Sequence, residues 1–142
     1  MHIAILTFDG FNELDSLIAL GILNRIKKPD WRVTLSCPSS VVTSMNGVMV
    51  HAQSTLAQAS EADAVLFGSG MKTRDIANDP GVMAQLNLDP ARQLIGAQCS
   101  GTLMLAKLGL LNKIPACTDL LTKPWVQEAG VEVLNQPFYA DG

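Results

Sequence analysis

The sequence predicts an α/β fold, a three-layer sandwich in which helices cover both faces of a mostly parallel central sheet. Three observations carry that expectation. Short apolar runs rich in β-branched residues (His2 to Phe8, Trp31 to Cys37, Ala64 to Phe67, Leu94 to Gln98) alternate with stretches of helical periodicity. Strands alternating with helices imply right-handed βαβ crossovers. Finally, the loops that carry chemically suggestive residues all follow such runs, at the sheet edge where ligands sit in open α/β sheets.

The elements follow in order. His2 to Phe8 suits a central parallel strand, and Asp9-Gly10-Phe11-Asn12 a turn. Glu13 to Ile26 carries an apolar stripe through Leu14, Leu17, Ile18 and Ile22, closed by Pro29-Asp30. Trp31 to Cys37 is the second strand. Val41 to Val50 reads as a hairpin with Asn46-Gly47 at its turn. Ser54-Thr55 caps a short helix to Ser60, and Ala64 to Phe67 is a buried strand running into Gly68-Ser69-Gly70. A helix from Thr73 or Asp75 to about Leu86 is interrupted at Asp79-Pro80-Gly81. Leu94 to Gln98 is a strand and the helix after it ends near Gly109. Pro115 to Thr118 and Val131 to Leu134 read as short strands flanking a helix opened by Lys123-Pro124-Trp125.

The totals narrow the function classes. The 142 residues fit one domain, and with 48% hydrophobic and 16% charged residues the chain has ample material for a core. The net charge is −3, and Arg25-Ile26-Lys27-Lys28 is the densest basic cluster, so no nucleic-acid partner is expected through this domain. No apolar run reaches the ~18 residues that a membrane span needs, and no basic region precedes the first strand as in a signal peptide. Cys37, Cys99 and Cys117 have no metal-ligand spacing and leave an odd cysteine over. The expectation is a reduced, cytoplasmic protein without metal or organic cofactor.

The chemistry concentrates at Gln98-Cys99-Ser100-Gly101, where strand gives way to helix within a few residues. Cys99 then sits at the tip of a nucleophile elbow. A helix N-terminus lowers a thiol pKa, and the Ser100 N–H points where a developing oxyanion would lie. Gly68-Ser69-Gly70 offers further backbone N–H groups, and the loop from Asp9 to Asp15 brings a carboxylate to the same edge. On residue type alone, Cys99 reads equally as a small buried hydrophobe.

Phe8-Asp9-Gly10 through Leu14-Asp15, the Gly68-Ser69-Gly70 loop and Ala97-Gln98-Cys99-Ser100-Gly101 together resemble the ThiJ/PfpI superfamily, relatives of the class I glutamine amidotransferases with a flavodoxin-like sheet. Within it the likeness is greatest to isonitrile hydratases and to amidase-like domains of AraC-type regulators. The resemblance implies that Cys99 is the functional thiol and that Asp15 hydrogen-bonds it, with Glu13 as the nearby rival. It implies that Gly70 and Ser100 line an anion pocket, with Ser69 and Gly68 beside them. Many relatives supply a His where Ala116-Cys117-Thr118-Asp119 puts Asp119, so a Cys–His dyad is not expected and Asp119 is a candidate pocket residue. The family also continues past the equivalent of Gly142 with a strand, a glycine-rich loop and helices, so this chain is expected to lack them. A homodimer is implied.

Three activities fit. The leading one is a cysteine-dependent hydrolase or hydratase of a small molecule such as an isonitrile. The alternatives are a ligand-sensing domain without turnover, and a redox or aldehyde-protection protein in which Cys99 is oxidised. Cys37 and Cys117 are expected to be structural, Trp31 and Trp125 to be packing residues, Arg74 a solvated helix-start residue, and His2 and His51 strand-edge residues.

Overall fold

The computed structural model describes residues 1–141; Gly142, the last residue of the expected domain, lies outside the described residues. In chain order the elements are β1 His2–Leu6, α1 Glu13–Leu23, β2 Arg32–Cys37, β3 Val41–Thr43, β4 Met49–His51, β5 Ser54–Thr55 and α2 Leu56–Ala59. There follow β6 Ala64–Phe67, α3 Thr73–Ala77, α4 Pro80–Met83, β7 Leu94–Ala97, a 3₁₀ turn Cys99–Gly101, α5 Thr102–Lys107 and α6 Lys123–Glu128. Five strands form one parallel sheet in the order β5-β2-β1-β6-β7, flanked by helices, and β3 and β4 pair antiparallel as the expected hairpin. This is the flavodoxin-like α/β architecture.

The two faces of β1 divide the core. Ala4 and Leu6 point into a cluster with Leu56, Phe67, Leu103 and Val126. Ile3 and Ile5 point into the other, with Phe11, Val33, Leu35 and Val42. That alternation, with both faces apolar, is why a central parallel strand reads as an unbroken hydrophobic run.

Several boundaries differ from the sequence reading. α1 stops at Leu23 because Asn24 caps it, its backbone N–H and side-chain Nδ2 both donating to Leu20 O. The helix expected from Thr73 divides into α3 and α4, since Asp79 caps a new start at Pro80 through Gly81 N and Val82 N. The two late strands reduce to a single parallel bridge between Ala116 and Val133. Only Ala116 N→Glu132 O and Leu134 N→Ala116 O join them, and Pro115 has no N–H with which to extend the ladder. No described helix is long and apolar enough to cross a membrane.

Candidate functional site

The carboxyl ends of β1, β6 and β7 deliver the Asp9–Asn12 loop, the glycine loop and Cys99 to one edge of the sheet. Cys99 has φ +49°, a left-handed backbone that a non-glycine residue adopts at a cost of roughly 1–3 kcal/mol. The surroundings enforce it. Gln98 continues the ladder through Gln98 N→Phe67 O (2.9 Å), and Gly101 N closes the turn on Gln98 O (2.8 Å). Gly101 lies so near β6 that a Cβ there would come within 2.7 Å of Gly68 O and 2.8 Å of Phe67 O. Glycine is required at that position, and the elbow is pressed against the sheet.

Ser100 is buried, and its hydroxyl fastens the elbow to the glycine loop. Its Oγ accepts from Gly70 N (3.2 Å) and hydrogen-bonds Thr73 Oγ1 (2.8 Å). The Gly70 amide, expected to be free as an oxyanion donor, is therefore engaged. The Ser100 backbone N–H lies close enough to the Cys99 sulfur to favour its ionised form.

The hydrogen-bond partner of the thiol differs from the expected one. Cys99 Sγ donates to Asp119 Oδ1 at 3.4 Å, while Asp15 Oδ2 accepts from Ser69 Oγ. Asp15 nevertheless lines the same groove and lies close enough for its charge to act on the thiol. Ser69 thus positions a carboxylate, and its backbone carbonyl accepts from Asn12 N (2.9 Å). Glu13 turns away: it accepts from Ser44 Oγ (2.6 Å) and Asn46 Nδ2 (3.0 Å), tying α1 to the hairpin. Gly68 is a backbone spacer whose N–H donates to Leu6 O (3.1 Å).

Contrary to the lowered thiol pKa expected of an elbow, the Cys99 pKa is raised. Cys99 is exposed to the groove, yet partial burial of its sulfur contributes most, then the Asp119 charge and its hydrogen bond; the Ser100 N–H opposes them and Asp15 adds to them. Asp119 is held below the usual carboxylate range. Burial alone would raise it, but donors from Thr122, together with Cys99, outweigh that. Its Oδ2 accepts from Leu121 N and Thr122 N, each at 3.1 Å. The resting pair is therefore a neutral thiol donating to an ionised carboxylate.

Two threonines escaped the sequence reading. Thr118 Oγ1 donates to Cys99 O (2.9 Å) and Thr102 Oγ1 to Cys117 O (2.8 Å), stitching the Asp119 segment to the elbow. Neither has a local sequence signal, because each acts across a tertiary contact. Asp119 did carry one: an Asp three residues ahead of a Thr and a Pro-containing helix start is a capping pattern.

Asp15, Gln98, Cys99, Cys117 and Thr118 line an open groove of about 1200 Å³. Gln98 Oε1, in this groove's wall, is the buried side-chain oxygen without a hydrogen-bond partner among the described residues. Cys117, expected to be purely structural, is only partly buried, whereas Cys37 is buried and its pKa is raised to about 11 by burial and by Asp9. Arg74 is not simply solvated: its guanidinium lies 4.6 Å from the centre of the Trp125 ring. His2 bonds Thr34 and Arg32 at the opposite end of β1. Among the described residues no three His, Cys, Asp or Glu side chains converge as metal ligands.

An elbow cysteine on a parallel sheet of this order defines the class, and comparison supplies the family. Residues 1–142 match the DJ-1/PfpI family, and the chain belongs to it. Among solved structures it is similar to a two-domain protein from Anabaena variabilis containing DJ-1/ThiJ/PfpI-like and ferritin-like domains, with a TM-score of 0.84 at 21% identity, covering 99% of this chain and 41% of that one. Schizosaccharomyces pombe DJ-1 superposes with a TM-score of 0.79 at 20% identity, covering 99% of this chain and 80% of that one. A cysteine-to-alanine mutant of a DJ-1 superfamily protein from Salmonella typhimurium gives 0.82 at 26% identity, covering 99% and 77%. The chain thus spans less than half of the first and about four fifths of the other two. No curated protein matches it.

Proposed function

We propose that this domain is a cysteine-dependent hydratase or hydrolase of a compact electrophile, with Cys99 as nucleophile and Asp119 as its general base. The observation that carries the reading is the Cys99 Sγ–Asp119 Oδ1 hydrogen bond at the strained elbow. A neutral thiol attacks well only if a base takes its proton as the bond forms, and an ionised carboxylate within hydrogen-bond reach is that base.

For an isonitrile the atoms balance as follows. Sulfur adds to the terminal carbon while Asp119 takes the thiol proton and passes it to that carbon, giving a thioimidate. Water then adds to the same carbon, one of its protons reaching nitrogen through Asp15. The C–S bond breaks, the second water proton returns to sulfur, and an N-substituted formamide leaves. The Ser100 N–H holds negative character at the sulfur during addition and release.

The assay is formation of a formamide from cyclohexyl isonitrile. Cys99→Ala abolishes turnover, and Asp119→Asn lowers kcat/KM by about 10²–10⁴, the range for loss of a general base. Full activity in Asp119→Asn would overturn the assignment. The protonated resting thiol also favours a second reading, a ligand-sensing domain. Saturable binding without turnover in the same assay would select it. That proton counts against an easily oxidised cysteine, since oxidation follows thiolate character.

A further inference from the structure

Asp15 and Asp119 both act on the Cys99 sulfur, but only one of them can hold its proton. A thiol has a single S–H to donate, and two carboxylates converging on one sulfur repel each other. The one that meets it is Asp119, whose Oδ1 accepts from Cys99 Sγ at 3.4 Å. The Thr118 bond to Cys99 O brings the Asp119 segment up to the elbow, but nothing in that bond keeps Asp15 away.

What keeps Asp15 away lies in the glycine loop. Ser69 Oγ donates to Asp15 Oδ2, and it is the hydrogen-bond donor to that carboxylate among the described residues. Ser69 is itself held in place: it is 6% exposed, and its carbonyl accepts from Asn12 N (2.9 Å) at the entry to α1. The positions on either side tolerate no side chain. A Cβ at Gly68 would come within 2.7 Å of Ser16 Oγ, and one at Gly70 within 2.6 Å of Gly10 O. Position 69 is the one in the loop with room for a side chain, and the hydroxyl there reaches Asp15.

We propose that Ser69 is a positioning residue that gives the two carboxylates separate tasks, holding Asp15 off the sulfur so that Asp119 alone serves the thiol. Distinct environments are what allow two carboxylates at one site to play distinct roles. Asp15 is thereby kept for the proton that travels to the substrate nitrogen, an assignment that rests on the proposed roles of Cys99 and Asp119. Without the hydroxyl, Asp15 turns to the sulfur and competes with Asp119.

Two readouts on the intact protein test this: the pH dependence of iodoacetamide alkylation at Cys99, and formamide formation from cyclohexyl isonitrile. In Ser69→Ala, adding Asp15→Asn is expected to lower the alkylation midpoint more than Asp15→Asn does in the wild type, because the released carboxylate stands nearer the thiol. In turnover, Ser69→Ala lowers kcat about tenfold with KM unchanged, since Asp15 has left its post. Added to Asp119→Asn it does the reverse and recovers about tenfold in kcat/KM, because Asp15 now takes the thiol proton and passes it to the isonitrile carbon. Asp15→Asn then abolishes the gain. A serine of purely structural importance would lower turnover in both backgrounds. Ser69→Gly should repeat the pattern without burying a methyl, which separates it from misfolding. An Asp15→Asn shift of equal size with and without the Ser69 hydroxyl overturns the proposal, as does turnover in Asp119→Asn that Ser69→Ala fails to raise. A protein that leaves the isonitrile untouched yet shows the Ser69-dependent shift overturns the hydratase reading and supports the role of Ser69.

Discussion

Two cysteines in the same fold are put to opposite uses by their neighbours. Cys37 is sealed at the end of β2, and burial, with the Asp9 charge, pushes its pKa up to about 11. The native state therefore keeps a proton that the unfolded chain gives up at an ordinary thiol pKa. Stability linked to this group is present below the ordinary range and is lost as pH rises toward 11. At about 1.4 kcal/mol per pKa unit, roughly 2–3 kcal/mol is at stake. Urea unfolding at several alkaline pH values should show that fall in the wild type and a flatter profile in Cys37→Val. Parallel profiles would assign the alkaline loss elsewhere. At Cys99 the pKa is also raised, but beside an acceptor that can take the proton, which turns a protonated thiol from a spectator into half of an acid–base pair. Asp119 has the reverse sign: its lowered pKa contributes stability above the ordinary carboxylate range that is lost as pH falls.

The elements show what could be read from sequence and what could not. β1, β2, β6 and β7 were legible because each is a short apolar run closed by a turn; in β1 burial on both faces leaves no competing pattern, whereas β7, at the sheet edge, is only half-buried. Cys99 at a strand-to-helix turn was legible from Ala97-Gln98-Cys99-Ser100-Gly101 for the same reason. The partner of the thiol was not. Asp15 and Asp119 stand at opposite ends of the sequence, and Thr118 and Thr122 decide which one meets the sulfur, through bonds that local patterns do not encode. Nor could the pattern reveal that Ser100 occupies the Gly70 amide. The packing at Gly101 yields a prediction at this scale. Gly101→Ala forces a methyl against two carbonyl oxygens of the Phe67-Gly68 segment. It should cost about 1–3 kcal/mol in chemical denaturation and disturb the Cys99–Asp119 geometry; a variant as stable as the wild type would mean the elbow is not wedged against β6.

Across the whole molecule, order is unevenly distributed. The sheet has a core on each face, whereas residues 109 to 141 contain α6, one bridge, and the exposed side chains Leu120, Leu121 and Phe138. What secures that region near the site is local: the Asp119 cap on Leu121 and Thr122, the two threonine bonds to the elbow, and the Arg74–Trp125 stack. Native-state hydrogen exchange should therefore find the slowest amides in β1, β2 and β6 and faster opening between Ala116 and Val133. Asp119→Asn should speed exchange at Leu121 and Thr122 while leaving β1 unchanged. Uniform protection across the chain would show that the Asp119 segment opens only with the whole fold.

The account depends on Asp119 holding the proton relationship of Cys99, and the pH dependence of Cys99 alkylation by iodoacetamide reads that relationship directly. In the wild type the midpoint should lie above the ordinary thiol value of about 8.5. In Asp119→Asn, which removes the charge while keeping the side chain's size, it should fall, so that the variant alkylates faster at neutral pH even as its turnover is lost. A midpoint below the ordinary value in the wild type, or one unmoved by Asp119→Asn, would contradict the account.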